Sequence, residues 1–214
     1  MKISDKSVLL IIDVQKDFCT GGSLEVSRGE EIVPVINRIA PGFPHVTATR
    51  DWHPPGHVSF ASAHPDKVPF SSVDIEYDDK KIIQTIWPDH CIAGTPGAAF
   101  HENLKVSFID SIFHKGTRKN LDSYSGFFEN DRETSTGLSG YLLGLGIENV
   151  YITGLAEDVC VYFTALDAVK EGFKVFLLTD GTRGIDTPPG TLEKRRGEMK
   201  KSGVIITDSI SLGL

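Results

Sequence analysis

Three observations predict an α/β fold of three layers, with helices on both faces of a mainly parallel sheet of about six strands. Short apolar, β-rich runs alternate along the chain with longer segments of helical spacing. The first run, Ser7 to Asp13, is apolar without alternation until its acid, as expected of a strand covered on both faces. Glycines stand just past two of the helical segments, Gly146 and Gly172, where a left-handed residue stops a helix.

The elements follow in order. After the strand at 7–13, Gly29 to Ala40 places Ile32, Val33, Ile36 and Ile39 at helical spacing. His45 to Arg50, rich in Val and Thr, predicts the second strand. Val106 to Phe113 predicts a third, Asn149 to Thr153 a fourth, Phe173 to Thr179 a fifth and Gly203 to Thr207 a sixth. Helices are predicted over 135–145, 158–171 and 189–201. The 214 residues fit one domain over 1–214, with a long insertion at about 52–104. That insertion is rich in Pro, Gly, His and Asp and lacks clear periodicity, and loops of such length are usually functional.

Composition narrows the function. A net charge of −7 and the lack of a basic run argue against nucleic acid or an anionic membrane as partner. No stretch approaches the roughly 20 apolar residues of a membrane span. Three scattered cysteines, Cys19, Cys91 and Cys160, do not make a disulfide framework, which favours a reducing, cytoplasmic setting. The loop at 18–23 matches neither a Walker A nor a GxGxxG pattern. A second copy of the chain could cover unpaired strand edges, although nothing in the sequence demands an oligomer.

Chemistry gathers at the strand ends. The first strand runs into Asp13, the second into Asp51 and His53, the third into His114 and Lys115, and the fourth leads to Cys160. In a parallel sheet these ends share one edge, where open α/β sheets bind ligands. Cys160 is expected in the first turn of a helix, where unpaired N–H groups and the helix dipole favour thiolate. Asp13 can take the thiol proton and return it to a leaving group, and Lys115 can hold the carboxylate and stabilise the thiolate. Glu157 and Asp158 would oppose the thiolate if they pointed inward; Asp158 is expected instead to cap the helix. Asp51 and His53, two residues apart in an extended segment, form a metal-type pair. The third ligand could be His57, His64, His90 or His101, and His90 is favoured by its rigid setting Trp87-Pro88-Asp89-His90-Cys91. A mixed Asp/His/His set suits Zn²⁺, Fe²⁺ or Mn²⁺.

Five segments resemble one family in order. Asp13-Val14-Gln15-Lys16-Asp17-Phe18 is similar to the DxQxDF opening of the isochorismatase-like cysteine hydrolases. Thr49-Arg50-Asp51-Trp52-His53-Pro54, with His57-Val58-Ser59-Phe60, resembles their metal-bearing segment. Trp87 to Cys91, followed by Gly94-Thr95-Pro96-Gly97-Ala98, resembles the nicotinamidase branch in particular. Lys115-Gly116 with Asp122 to Phe127 resembles the lysine segment, and Gly154 to Val161 the nucleophile turn. Gly126 stands where many relatives have Ala, and the stretch 72–83 is longer and more acidic than in compact relatives.

The resemblance implies a triad of Asp13, Lys115 and Cys160, and one divalent metal, zinc foremost and iron or manganese otherwise, on Asp51, His53 and His90. It implies a cis peptide between Leu155 and Ala156, with the N–H groups of Ala156 and Cys160 as an oxyanion hole. Phe18, Trp87 and Tyr124 match positions that line the ring pocket. The implied activity is hydrolysis of nicotinamide, a small-molecule substrate, to nicotinate and ammonia through a thioester in NAD salvage, with pyrazinamide turned over as well. Two other readings stay open: an amidohydrolase for ureido or carbamoyl compounds, and a non-enzymatic metal- or nicotinamide-binding protein.

Overall fold

A computed structural model describes residues 3–214. Six parallel strands form the main sheet: β1 (Ser7–Ile12), β2 (His45–Asp51), β5 (Ser111–Lys115), β6 (Asn149–Leu155), β7 (Lys174–Arg183) and β8 (Ile205–Thr207). Their order is β5-β2-β1-β6-β7-β8, so chain order reverses at β1. Two further strands, β3 (Ser72–Tyr77) and β4 (Lys80–Thr85), make a separate antiparallel hairpin. The helices are α1 (Ile32–Ile39), α2 (Leu138–Gly144), α3 (Tyr162–Lys170) and α4 (Thr191–Lys201).

The period-two geometry of the strands sorts the core into two halves. Leu9 and Ile11 of β1 and Phe176 and Leu178 of β7 pack on the face that carries Ile32, Val33, Ile36 and Ile39 of α1. Val8, Leu10 and Ile12, with Val175 and Leu177, pack on the other face against Leu142, Ala165, Ala168 and Met199. These faces are the outer layers predicted from the alternation of runs. Pro34 sits in the first turn of α1, where its missing N–H breaks no helical bond. Gly146 (φ +70°) and Gly172 (φ +92°) end α2 and α3, their N–H groups bonding the carbonyls of Leu143 and Val169.

Two expectations need correction. The strand predicted over 106–113 begins only at Ser111 and runs through His114 to Lys115, and Val106–Phe108 forms a 3₁₀ turn. Asp110 is the reason. Its N–H donates to the Val46 carbonyl and its carboxylate accepts the Val46 N–H, which closes off the segment before the strand starts. Lys115 is therefore the last residue of a strand, and the pleat turns it inward. The second correction lies in the insertion, where 72–85 forms the hairpin β3–β4. Its turn holds Asp78 at φ +50°, and only Ile75 and Gln84 of its strands are buried.

The rest of the insertion folds back on the sheet edge. The His53 N–H bonds the Cys91 carbonyl, the Ala93 N–H bonds the His53 carbonyl, and the Trp87 N–H bonds the Ser59 carbonyl. No helix among the described residues is long and apolar enough to cross a membrane. Because Leu10 is fully buried between sheet and helices, Leu10→Ala is expected to lower unfolding stability by about 2–5 kcal/mol. Urea denaturation checks this: the midpoint should fall while the slope stays near wild type.

Candidate active site

The carboxyl ends of β5, β2, β1 and β6 lie side by side, and each delivers one reactive group. Lys115, paired in register with Asp51, extends its ammonium into the middle of them. Its Nζ lies 3.0 Å from Asp13 Oδ2, 2.9 Å from the Ser123 carbonyl and 3.4 Å from Cys160 Sγ, and it also donates to Asp51 Oδ1. Asp13, at φ +47° just past β1, accepts the Thr49 hydroxyl at 2.7 Å on its other oxygen. Asp13 and Lys115 are shut off from solvent behind the pocket wall, whereas Cys160 forms part of that wall.

Burial and charge set the protonation states. Burial pushes the Asp13 carboxyl up to about 6, against the pull of the Lys115 charge. Burial also raises the Cys160 thiol well above its usual range, and the Lys115 ammonium only partly offsets this. The resting sulfur is thus a thiol that needs a base, and the Asp13 carboxylate shares Lys115 with it. Lys115 itself stays charged: burial opposes the ammonium, but Asp13 and Asp51 raise its pKa well above normal. Burial pushes the Asp51 carboxyl up, but Lys115, His53 and His90 together outweigh it and hold Asp51 far below the carboxylate range.

Asp51, His53 and His90 offer ligand atoms within 4.8 Å of one another. Asp51 Oδ2 lies 3.7 Å from His53 Nε2 and 3.8 Å from His90 Nε2. Each imidazole has its other nitrogen engaged, His53 Nδ1 donating to the Gly116 carbonyl at 2.9 Å and His90 Nδ1 to the Pro88 carbonyl at 2.7 Å. That arrangement leaves both Nε2 lone pairs facing one carboxylate oxygen, the donor set and outer hydrogen bonds of a divalent cation site. Gly116, at φ +60°, is required here because a Cβ would sit 2.4 Å from the His53 ring. Of the other candidates, His57 stacks on His53 with its ring nitrogens near Ser59 Oγ and the Leu121 carbonyl, and His64 bonds the Val58 carbonyl. His101 accepts the Asn103 N–H.

The predicted pocket residues meet in one place. Phe18, Trp87, Tyr124, Ala156 and Cys160 line a single pocket with the three candidate ligands. Phe18 packs on the His90 ring at 5.5 Å between centroids, and the Trp87 indole N–H reaches the Tyr124 hydroxyl at 3.3 Å. The peptide between Leu155 and Ala156 is cis. Leu24, Asp122, Val159 and Ile185 also line the pocket and were not singled out from sequence. Asp122 and Val159 lie within the family-like segments 122–127 and 154–161, but nothing in the sequence marks Ile185.

The turn that carries Cys160 differs in kind from expectation. Cys160 lies in a five-residue π-helical turn, Glu157–Val161, that precedes α3. Asp158 does not cap that helix. Its two oxygens accept the N–H groups of Ile185 and Asp186 at 2.9 and 2.8 Å. Glu157, fully buried, accepts the Thr182 hydroxyl and a two-pronged contact from Arg196. Both acids therefore tie the turn to β7, α4 and the segment between them.

The Isochorismatase domain model matches residues 7–210. The chain belongs to the isochorismatase family. Within this family it is 43% identical to a nicotinamidase of Acinetobacter baylyi, over 95% of this chain and 93% of that one. It is 40% identical to a nicotinamidase of Escherichia coli, over 92% of each. A solved Acinetobacter baumanii nicotinamidase/pyrazinamidase superposes with a TM-score of 0.93 at 44% identity, covering 99% of this chain and all of that one. The yeast nicotinamidase bound to the inhibitor nicotinaldehyde gives 0.89 at 31%, over 95% of this chain and all of that one. A Pyrococcus horikoshii pyrazinamidase in complex with zinc gives 0.75 at 35%, over 95% of this chain and 99% of that one.

Glu129 is a further buried acid of this isochorismatase-family chain, apart from Asp13 and Asp51. Burial, then the Asp122 charge, raises Glu129 from 4.5 to about 7, and its Oε2 has no hydrogen-bond partner. The native state thus holds this proton more tightly than the unfolded chain does. Stability should fall as pH rises from about 4.5 to about 7 and then level off. Glu129→Gln removes the titration. Its thermal midpoint relative to wild type is expected to be higher at pH 8 than at pH 5, measured by circular dichroism.

Proposed function

We propose that this chain is a metal-dependent cysteine amidohydrolase that converts nicotinamide to nicotinate and ammonia, and accepts pyrazinamide. One observation carries the reading: a thiol, with a carboxylate and a lysine behind it, faces the same small aromatic pocket as the Asp51/His53/His90 set. The similarity to nicotinamidases along nearly the full length of both chains supports the substrate. A zinc complex of a related pyrazinamidase supports the cation.

Phe18, Trp87 and Tyr124 hold a flat ring, and the ring's carboxamide lies against Cys160. A divalent cation on Asp51, His53 and His90 would supply a Lewis acid for the pyridine nitrogen. Asp13 takes the Cys160 proton as sulfur attacks the carboxamide carbon, with Lys115 stabilising the developing negative charge. The N–H groups of Ala156 and Cys160 receive the oxyanion. Collapse breaks the C–N bond, and Asp13 passes its proton to the departing ammonia. A water then gives its proton to Asp13 and attacks the thioester, which releases nicotinate and returns the thiol. In a reducing cytoplasm such turnover would return nicotinamide to NAD synthesis.

Two variants test the assignment with a coupled ammonia assay and elemental analysis. Cys160→Ala should abolish ammonia release and keep its metal; wild-type turnover in that variant would sink the nucleophile. His53→Ala should lose bound metal and bind nicotinamide more weakly, and unchanged metal content would count against the ligand set. Turnover of a ureido compound but not of nicotinamide would favour the carbamoyl branch.

A further inference from the structure

Two side chains of the opening motif, Gln15 and Asp17, have no part in the chemistry above, yet each grips the backbone of a candidate ligand. Gln15 is fully buried. Its Oε1 accepts the Asp51 N–H at 2.8 Å, and its Nε2 donates to the Asp51 carbonyl at 2.8 Å and the Ala98 carbonyl at 2.9 Å. Both peptide planes flanking Asp51 are thereby fixed, and with them the origin of its side chain.

Asp17 does the same for His90. Its Oδ2 accepts the Cys91 N–H at 2.7 Å. That N–H belongs to the peptide joining His90 to Cys91, so the bond fixes the plane next to the His90 side chain. Cys91 sits at φ +45°, a conformation that a cysteine seldom holds without outside contacts. The Cys91 carbonyl in turn accepts the His53 N–H at 3.1 Å. Gly97 completes the fit: a Cβ there would lie 2.1 Å from the Asp17 carboxylate.

We propose that Gln15 and Asp17 are positioning residues that preset the divalent-cation site by locking the backbone of Asp51 and His90. The inference rests on those residues holding a cation, as argued above. Outer hydrogen bonds that orient ligands are typically worth about 10–100-fold in metal affinity. Here the same loop that carries Asp13 would set that affinity, so base and cation are placed by one segment.

Zinc affinity, measured by competition with a chromophoric chelator, tests this without relying on turnover. Asp17→Ala and Gln15→Leu are each expected to raise the zinc dissociation constant by about 10–100-fold. Asp17→Asn should stay near wild type, since an amide oxygen still accepts the Cys91 N–H. Gly97→Ala keeps the carboxylate but pushes it aside, and should weaken zinc as Asp17→Ala does; it serves also if Asp17→Ala fails to fold. The zinc-induced rise in thermal midpoint should shrink in the same variants. Equal zinc affinity in wild type, Asp17→Ala and Gly97→Ala would overturn the inference alone, as would an Asp17→Asn as weak as Asp17→Ala. A wild type that binds no zinc, iron or manganese would overturn the metal-dependent reading and this inference together.

Discussion

The site depends on one buried ammonium. Lys115 carries three N–H donors and faces four acceptors: Asp13, Asp51, the Ser123 carbonyl and the sulfur of Cys160. Sulfur is the most distant of them, so the resting ammonium is directed mainly at oxygen. Two carboxylates against one ammonium leave an excess negative charge in a place shut off from water, where unbalanced charge is costly. Two devices can balance it. A proton can reside on Asp13, whose carboxyl burial has already pushed up to about 6. A dication can reside beside Asp51. In the proposed reaction the first is the working base and the second the ring anchor, so the charge problem and the chemistry have the same solution.

The sheet order makes this convergence feasible. β1 and β2 are neighbours, β5 flanks β2 and β6 flanks β1, so the four loaded strand ends are consecutive. A strand spacing of about 4.8 Å then places their terminal side chains within reach of a single lysine. Cys160 is the exception, because it comes from a turn beyond its strand. That turn is held from outside by Glu157 on Arg196 and Asp158 on the backbone of 185–186. Two acids beside a nascent thiolate would be harmful if free, but here their charges are committed to other partners.

Asp13 was legible because it follows the apolar run Val8 to Ile12 and differs sharply from it in type, whereas Asp51, Lys115 and Cys160 follow mixed segments and were legible from their place at the ends of strand-like stretches. The layers were legible because Ser7 to Ile12 and the Ile and Val residues of α1 have few alternatives to burial. What escaped has local causes. Val106, Phe108 and Ile109 continue an apolar pattern into β5, and only the side-chain contact of Asp110 with Val46 shows that the strand has not begun. The hairpin strands do alternate, with Ser72, Asp74 and Glu76 outward and Val73, Ile75 and Tyr77 inward, but the alternation is confined to one short stretch of a segment otherwise dominated by Pro, Gly, His and Asp. A π-helical turn has the composition of an α-helix, so the sequence shows Cys160 in a helical turn after the strand but not the kind of turn. Ile185 reaches the pocket from a segment with no motif at all.

The hairpin β3–β4 has a practical consequence. Its tip, Asp78-Asp79, lies outside the main sheet, while its root reaches the site, where Gln84 donates to Asp122 and to the Tyr124 hydroxyl. Sequence can be added at the tip without altering the spacing of the four loaded strand ends. That makes the tip the natural graft point for a reporter or an immobilisation tag, one separated from the reactive crevice by the two paired strands of the hairpin.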